Sequence, residues 1–457
     1  MLKTANIEEL ENGKINKLIW QYAIPAIVGT TVNALYNTID SVFIGHGLGD
    51  DAMNALGIAL PIMTIIAAVG MLVGIGSASR ISIYLGMGNK EACEKIIGNA
   101  IVLTFIFSGI TIFILFSFLT PILEMVGATG RTLIYAKEFL YYYLPGSIFS
   151  TLCFGFNNMM RASGYPKKAM YTMLISVVAN IILAPIFIFI FKWGMMGAAL
   201  ATVISMFISL CFVIYHFINR NSMLRIRSIN IRLDKKIVTS IVSIGLSPFF
   251  IQLAAATVAF LVIHSLQEYG GDLAVGAYNI SNKLVMIIIM VIVGLTQGMQ
   301  PIVGYNYGAK RYERVKETVS YTTKIGIAIG FIGLIIGVFF PDLVVKPFNP
   351  SAELAKDSVD ALRIITIMLP LVGFQVVITN FFQSIGFTTK AIFLSLTRQF
   401  LFLIPALMVL PQFYGLNGVW ASMPTADLVS TILTGFMFLW QLRAFKKLEE
   451  AERMKNI

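Results

Sequence analysis

Asp40 is the one charged side chain in an apolar run from Leu18 to Leu48, within the stretch NALYNTIDSVFIG. Asn33, Tyr36 and Asn37 precede it at spacings of three and four, so a helix would set all four on one face. Such a group can hold a proton or a small cation, and removal from water disfavours the charged carboxylate. Two readings compete. Asp40 lies about 22 residues into the run, deep enough to sit at the far end of a membrane helix and reach for the surface. The polar face, however, extends inward over two turns, and ionisable groups inside a membrane are functional by default. The functional reading is therefore preferred, with Asn37 assisting Asp40.

Asn180 is the strongly polar residue of MLISVVANIILAPIFIFIF. It is either a ligand or a hydrogen-bonding link between helices, worth about 0.6–2 kcal/mol. Thr202 in GMMGAALAT has the same two readings, since small hydroxyls also serve close packing. Pro185 leaves the Ile181 carbonyl without its helical donor and so available to an ion or water. Asn33, Tyr36, Tyr141, Phe154, Asn157, Gln252, Asn279, Lys283 and Asn380 are the candidates for a substrate cleft. Arg398 and Asp427 are candidate partners for each other. Neither the three cysteines (Cys93, Cys153, Cys211) nor the three histidines (His46, His216, His264) show a metal-ligand or disulfide spacing. No GxxxxGK[ST] occurs, and the GxG of GIGSASR lies inside an apolar run without a preceding strand. No cofactor, metal site or ATP hydrolysis is expected.

These residues must be positioned by membrane helices. The chain has 457 residues, 57% hydrophobic and 12% charged, with a mean hydropathy of +0.81; soluble domains carry about 25% charged residues. The net charge of +11 does not point to nucleic acid, because the basic residues sit in short loops without interleaved aromatics. The partner surface is the lipid bilayer. A span needs about 20 apolar residues, and twelve are predicted: 18–44, 53–84, 96–119, 133–156, 168–191, 195–218, 238–266, 274–304, 319–343, 357–384, 389–411 and 417–442. The N-terminus lacks the basic start and cleavage site of a signal peptide. Lys/Arg clusters at 90–95, 161–168, 220–236, 310–316 and 443–447 alternate with sparsely charged loops. That asymmetry places both termini in the cytoplasm.

The chain repeats itself. GIGSASRISIYLGMGNKE (74–91) aligns on GLTQGMQPIVGYNYGAKR (294–311), ASGYPKKAM (162–170) on SIGFTTKAI (384–392), and WGMMGAA (193–199) on YGLNGVW (414–420), all at an offset near 220. The prediction is two six-helix lobes, 1–218 and 238–457, joined by a basic cytoplasmic loop, 219–237. They are all-α and pseudo-symmetric around a central cleft, a transporter architecture.

The stretches NALYNTIDSVFIGHGLGDDAMNALGIALPI, RASGYPKKAM, WGMMGAALATVIS, GMQPIVGYNYGAKR and GLNGVWASMPTADL together resemble the multidrug and toxic compound extrusion (MATE) family, in its bacterial DinF/MepA-like branch. The resemblance covers both lobes. It implies export of bulky cationic or amphipathic compounds against an inward flow of H⁺ or Na⁺. It also implies a cation site in the first lobe, carried over to Asp40, Asn180 and Thr202. The family pattern has a second carboxylate at position 184, where this chain has Ala184. One carboxylate suits a proton better than sodium.

The expected function is thus a secondary multidrug antiporter in the bacterial plasma membrane, monomeric, using H⁺ rather than Na⁺. The alternative within transport is a flippase or exporter of lipid-linked or polysaccharide precursors. Clefts for phosphorylated cargo carry several cations, whereas only Lys283 and Arg398 qualify here. An enzyme would need a nucleophile–base or metal cluster at depth, and no such pairing is visible.

Overall fold

The structure of the protein, a computed structural model, describes the backbone of residues 5–455 and the side chains of 8–32 and 39–450. Within these limits the chain is helical with no strand, as lipid demands of any span that must satisfy its own backbone hydrogen bonds. Among the described residues eight helices are long and apolar enough to cross a membrane, or nine if the bent pair Ala352–Thr366 and Leu369–Ser384 counts as one span. The longest, Lys235–Gly308, is broken at Gly271 (φ 63°, ψ −161°) into two spans. Ile15–Leu48 (34 residues) and Gly130–Ala162 (33 residues) supply two more of sufficient length. Twelve spans result, as hydropathy predicts.

Backbone geometry repeats along with the sequence. Gly49, Gly164 and Gly194 take positive φ (85°, 94° and 61°), and so do Gly271, Gly386 and Gly415 (63°, 79° and 56°), each pair about 220 residues apart. Positive φ is costly for a residue with a Cβ, so turns of one design close corresponding helices in both halves. Gly88 (φ 74°) and Lys310 (φ 59°) occupy the same position in the turns that end the second and eighth spans, two residues off the gap-free sequence alignment. The fifth span runs from Pro166–Pro185 into a π-helical turn, Ile186–Ile190, and the eleventh carries another at Thr397–Leu403.

The chain divides into two compact units whose borders differ from the repeat borders. One holds residues 28–252 with the first twelve residues, the other 13–27 with 253–457. In the first unit, Gly245 lies so close to Leu72, and Gly76 to Ile241, that a Cβ on either would overlap a backbone carbonyl oxygen. In the second, a Cβ on Gly298 would stand 2.6 Å from the Ala23 Cα, and one on Gly294 2.7 Å from the Ile27 Cα. The leading part of each repeat's first helix therefore packs on the second helix of the other repeat. Small residues allow such close backbone approach in membranes.

The segment 219–237, expected as a loop between lobes, is fastened to the first unit. Leu224 is fully buried, the Asn230 carbonyl rests on Gly98, and Asn99 Oδ1 accepts the Asp234 N–H at 2.7 Å. Arg227 Nε meets Glu94 Oε2 at 2.6 Å, with the Glu94 side chain only 4% exposed. Removing one partner strands a buried charge. Arg227→Ala is expected to cost about 1–3 kcal/mol, below the full buried-pair penalty because the arginine is half exposed. Thermal unfolding in detergent checks this, and an unchanged melting temperature would contradict the docking.

Candidate functional site

Asp40 lies on the helix Ile15–Leu48 and is buried, and its Oδ1 has no hydrogen-bond partner among the described residues. Asn33, Tyr36 and Asn37 share its helix, but their side chains fall outside the described residues. Asn180 is fully buried on the helix Pro166–Pro185, and Thr202 is buried on the helix Gly194–Ile218. Asn180 Nδ2 donates to Thr202 Oγ1 at 3.4 Å, and Thr202 Oγ1 donates to the Ala198 carbonyl at 3.1 Å. Asn180 Oδ1 is left without a hydrogen-bond partner among the described residues. Buried acceptors are normally satisfied, so two orphaned oxygens call for an explanation.

Helical spacing brings these side chains toward one place. Ile44 follows Asp40 by one turn, Ala184 follows Asn180 by one turn, and Ala198 precedes Thr202 by one turn. Ile44, Ala184, Ala198 and Ala201 belong to one packed apolar core, together with Leu140 and Tyr143. Residues one turn apart share a face, so Asp40, Asn180 and Thr202 all border that core. Tyr143, buried on the helix Gly130–Ala162, lies within electrostatic range of the Asp40 carboxylate. The structure joins Asn180 to Thr202 by a hydrogen bond and leaves Tyr143 within electrostatic range of Asp40. Between Asp40 and Asn180 themselves it shows no direct bond among the described residues.

Tyr143 is the residue that sequence reasoning missed in favour of Tyr141. In LYYYLP three tyrosines fan out at 100° steps, and nothing local says which one comes within electrostatic range of the carboxylate. Tyr141 is 57% exposed, and its ring lies 5.2 Å from that of Phe116.

Asn157 is also corrected. It is buried, donates to the Ala169 carbonyl at 2.5 Å and to Thr172 Oγ1, and accepts from Arg161 Nη2 at 2.8 Å. Its Nδ2 ties the fourth span to the fifth, and its Oδ1 is held by Arg161 on its own helix. Phe154 covers Gly70 and Gly74 of the helix Asp50–Gly86, which is packing between helices. In the first unit Gln252 is half-buried. In the second, Asn279 and Lys283 are exposed, and Asn380 is half-buried with its Nδ2 on the Val376 carbonyl at 3.0 Å. Arg398 Nε and Asp427 Oδ1 meet at 2.6 Å, the pair expected from two charges at membrane depth.

The described residues hold no cluster of three or more His, Cys, Asp or Glu that could ligate a metal. The Asp40 region instead offers one carboxylate with neutral amide and hydroxyl groups. That set can accept a proton at Asp40, or solvate a monovalent ion with a single negative charge.

Known proteins share this chain's sequence pattern and its fold. The MatE family pattern matches residues 25–186 and 248–408, one copy in each repeat. The multidrug export protein MepA of Staphylococcus haemolyticus is 28% identical over 437 residues, covering 95% of this chain and 96% of that protein. MepA of Staphylococcus aureus is 27% identical over 446 residues, 97% of each. A solved multidrug resistance MATE family transporter of the MOP superfamily, in its outward-facing conformation, superposes with a TM-score of 0.91 at 25% identity, over 98% of this chain and 100% of that one. The same values hold for a MOP superfamily transporter from Pyrococcus furiosus whose description suggests a different function from the reversed polarity of its binding pocket. With a family match over both repeats and transporters as its relatives along nearly its whole length, the chain belongs to the MATE family of membrane transporters.

Proposed function

We propose that the protein exports amphipathic or cationic small molecules from the bacterial cell in exchange for protons, by alternating access. The observation that carries the reading is the buried Asp40, whose Oδ1 has no hydrogen-bond partner among the described residues. A charged carboxylate is expensive in a dry helical core. Protonation removes that cost, so the two charge states of Asp40 favour different packings of the surrounding helices. Asn180, Thr202 and Tyr143 would hold the carboxylate in place and exchange hydrogen bonds with it. Ala184, fully buried in the same core, supplies no second negative charge, which favours H⁺ over Na⁺ as the coupling ion.

The names of the staphylococcal relatives support multidrug compounds as cargo. The Lys/Arg asymmetry supports cytoplasmic termini, and a single chain with both repeats supports a monomer. Cells expressing the protein and loaded with a fluorescent organic cation are expected to accumulate less dye than cells carrying an empty vector. Equal accumulation across several such dyes would overturn the assignment of cargo.

A further inference from the structure

The second unit holds a groove unrelated to Asp40. The helices Tyr312–Phe339 and Leu416–Lys455 border a cavity of about 520 Å³. Lys316 and Lys324 line it from one side, and Arg443 and Lys446 from the other. Lys316 is committed to Glu449 at 2.8 Å. The other three have no carboxylate partner among the described residues. Like charges gathered around one cavity repel one another, a cost that a bound anion reverses.

A second observation points the same way. Thr323 lines this cavity, is 9% exposed, and its Oγ1 has no hydrogen-bond partner among the described residues. A hydroxyl at the foot of a cationic groove is a natural donor to a phosphate oxygen. Ser320 also lines the cavity, and the rest of the wall is apolar, formed by Phe438, Leu439 and Leu442. Ile432 and Phe436 on the same helix are exposed large hydrophobics that extend this wall. A soluble anion would gain nothing from such a wall, whereas a lipid tail would bury against it.

We propose that this groove binds an anionic phospholipid, its phosphate among Lys324, Arg443, Lys446 and the Thr323 hydroxyl, and an acyl chain along the Phe438 side. Basic pockets between membrane helices recognise acidic headgroups through the same combination of charge and shape. The site is separate from the coupling region and does not depend on which ion drives transport.

Native mass spectrometry of the full-length protein in detergent tests it, with phosphatidylglycerol or phosphatidylcholine supplied at equal concentration. Wild-type protein is expected to retain phosphatidylglycerol preferentially. The double variant Lys324→Gln/Arg443→Gln should lower that retention by roughly tenfold or more, with phosphatidylcholine unaffected. Thr323→Val, which keeps the volume and every charge, should lower it several-fold, and it decides the matter if the double variant misfolds. Inorganic phosphate alone should not raise the melting temperature. Equal retention of both lipids by the wild type, or undiminished phosphatidylglycerol in a folded variant, would overturn the proposal. Protection by inorganic phosphate matching that of the lipid would assign the groove to a soluble anion and overturn it as well.

Discussion

Asp40→Asn is expected to abolish active export while the protein still inserts, folds and binds its cargo. Asparagine matches aspartate in size and keeps one acceptor oxygen, so the core around Ile44, Tyr143 and Ala184 need not repack. It lacks a proton to gain or lose. Moving a two-state equilibrium from 1:99 to 99:1 requires about 5.5 kcal/mol of differential stabilisation. Asn180 and Thr202 are neutral at any accessible pH and cannot supply it by changing charge. Dye accumulation in cells expressing the variant should match the empty vector. Its melting temperature in detergent should equal or exceed that of the wild type, because a buried carboxylate has been replaced by a neutral amide. Wild-type resistance from a well-expressed Asp40→Asn protein would end the assignment of Asp40 as coupling residue.

Gly245→Val carries the other large expected effect, on folding rather than coupling. A Cβ at 245 would overlap the Leu72 carbonyl oxygen and crowd the Leu72 Cα, 2.8 Å away. Overpacking a core costs about 1–3 kcal/mol when side chains can give way. Here the obstacle is the backbone of the neighbouring helix, which has no rotamer to change, so the loss should be larger. The variant should yield little monodisperse protein by size-exclusion chromatography. Gly109→Ala is the matched control, since nothing lies within 4 Å of its added carbon; a helical glycine so placed is neutral or improved on replacement. Equal yields from both would mean that the 235–252 segment does not pack on the second span.

Much of the fold was legible because lipid imposes its own grammar. Spans must be long, apolar and helical, so twelve could be counted, and three aligned stretches near one offset betrayed the duplication. The positive-φ pair Gly49/Gly271 extends the same repeat, and its neighbours match as well, Asp50 with Asp272, Ala52 with Ala274 and Ala55 with Ala277. Hydropathy could not reveal that residues 13–27 and 235–252 change partners. That outcome depends on which helices meet at glycines 245 and 298, and periodicity carries no such information.

The candidate site was legible in part. Asp40 stood out because a carboxylate in an oily run is costly, and Arg398 with Asp427 because two charges at depth seek each other. Asn180 and Thr202 came from the family resemblance, and the hydrogen bond between them is a feature only the folded chain displays. Asn157 was misread because a polar side chain in a span looks alike whether it faces a cavity or a neighbouring helix. Its contacts with Ala169, Thr172 and Arg161 decide the matter.

Proton coupling at a single carboxylate is the central claim, and proteoliposomes test it most directly. Purified protein would be reconstituted with a fluorescent organic cation, and a pH gradient and a sodium gradient imposed separately. The account predicts dye movement driven by the pH gradient, none driven by sodium alone, and no gradient-driven movement with Asp40→Asn. Movement stimulated by sodium without any dependence on the pH gradient would contradict it.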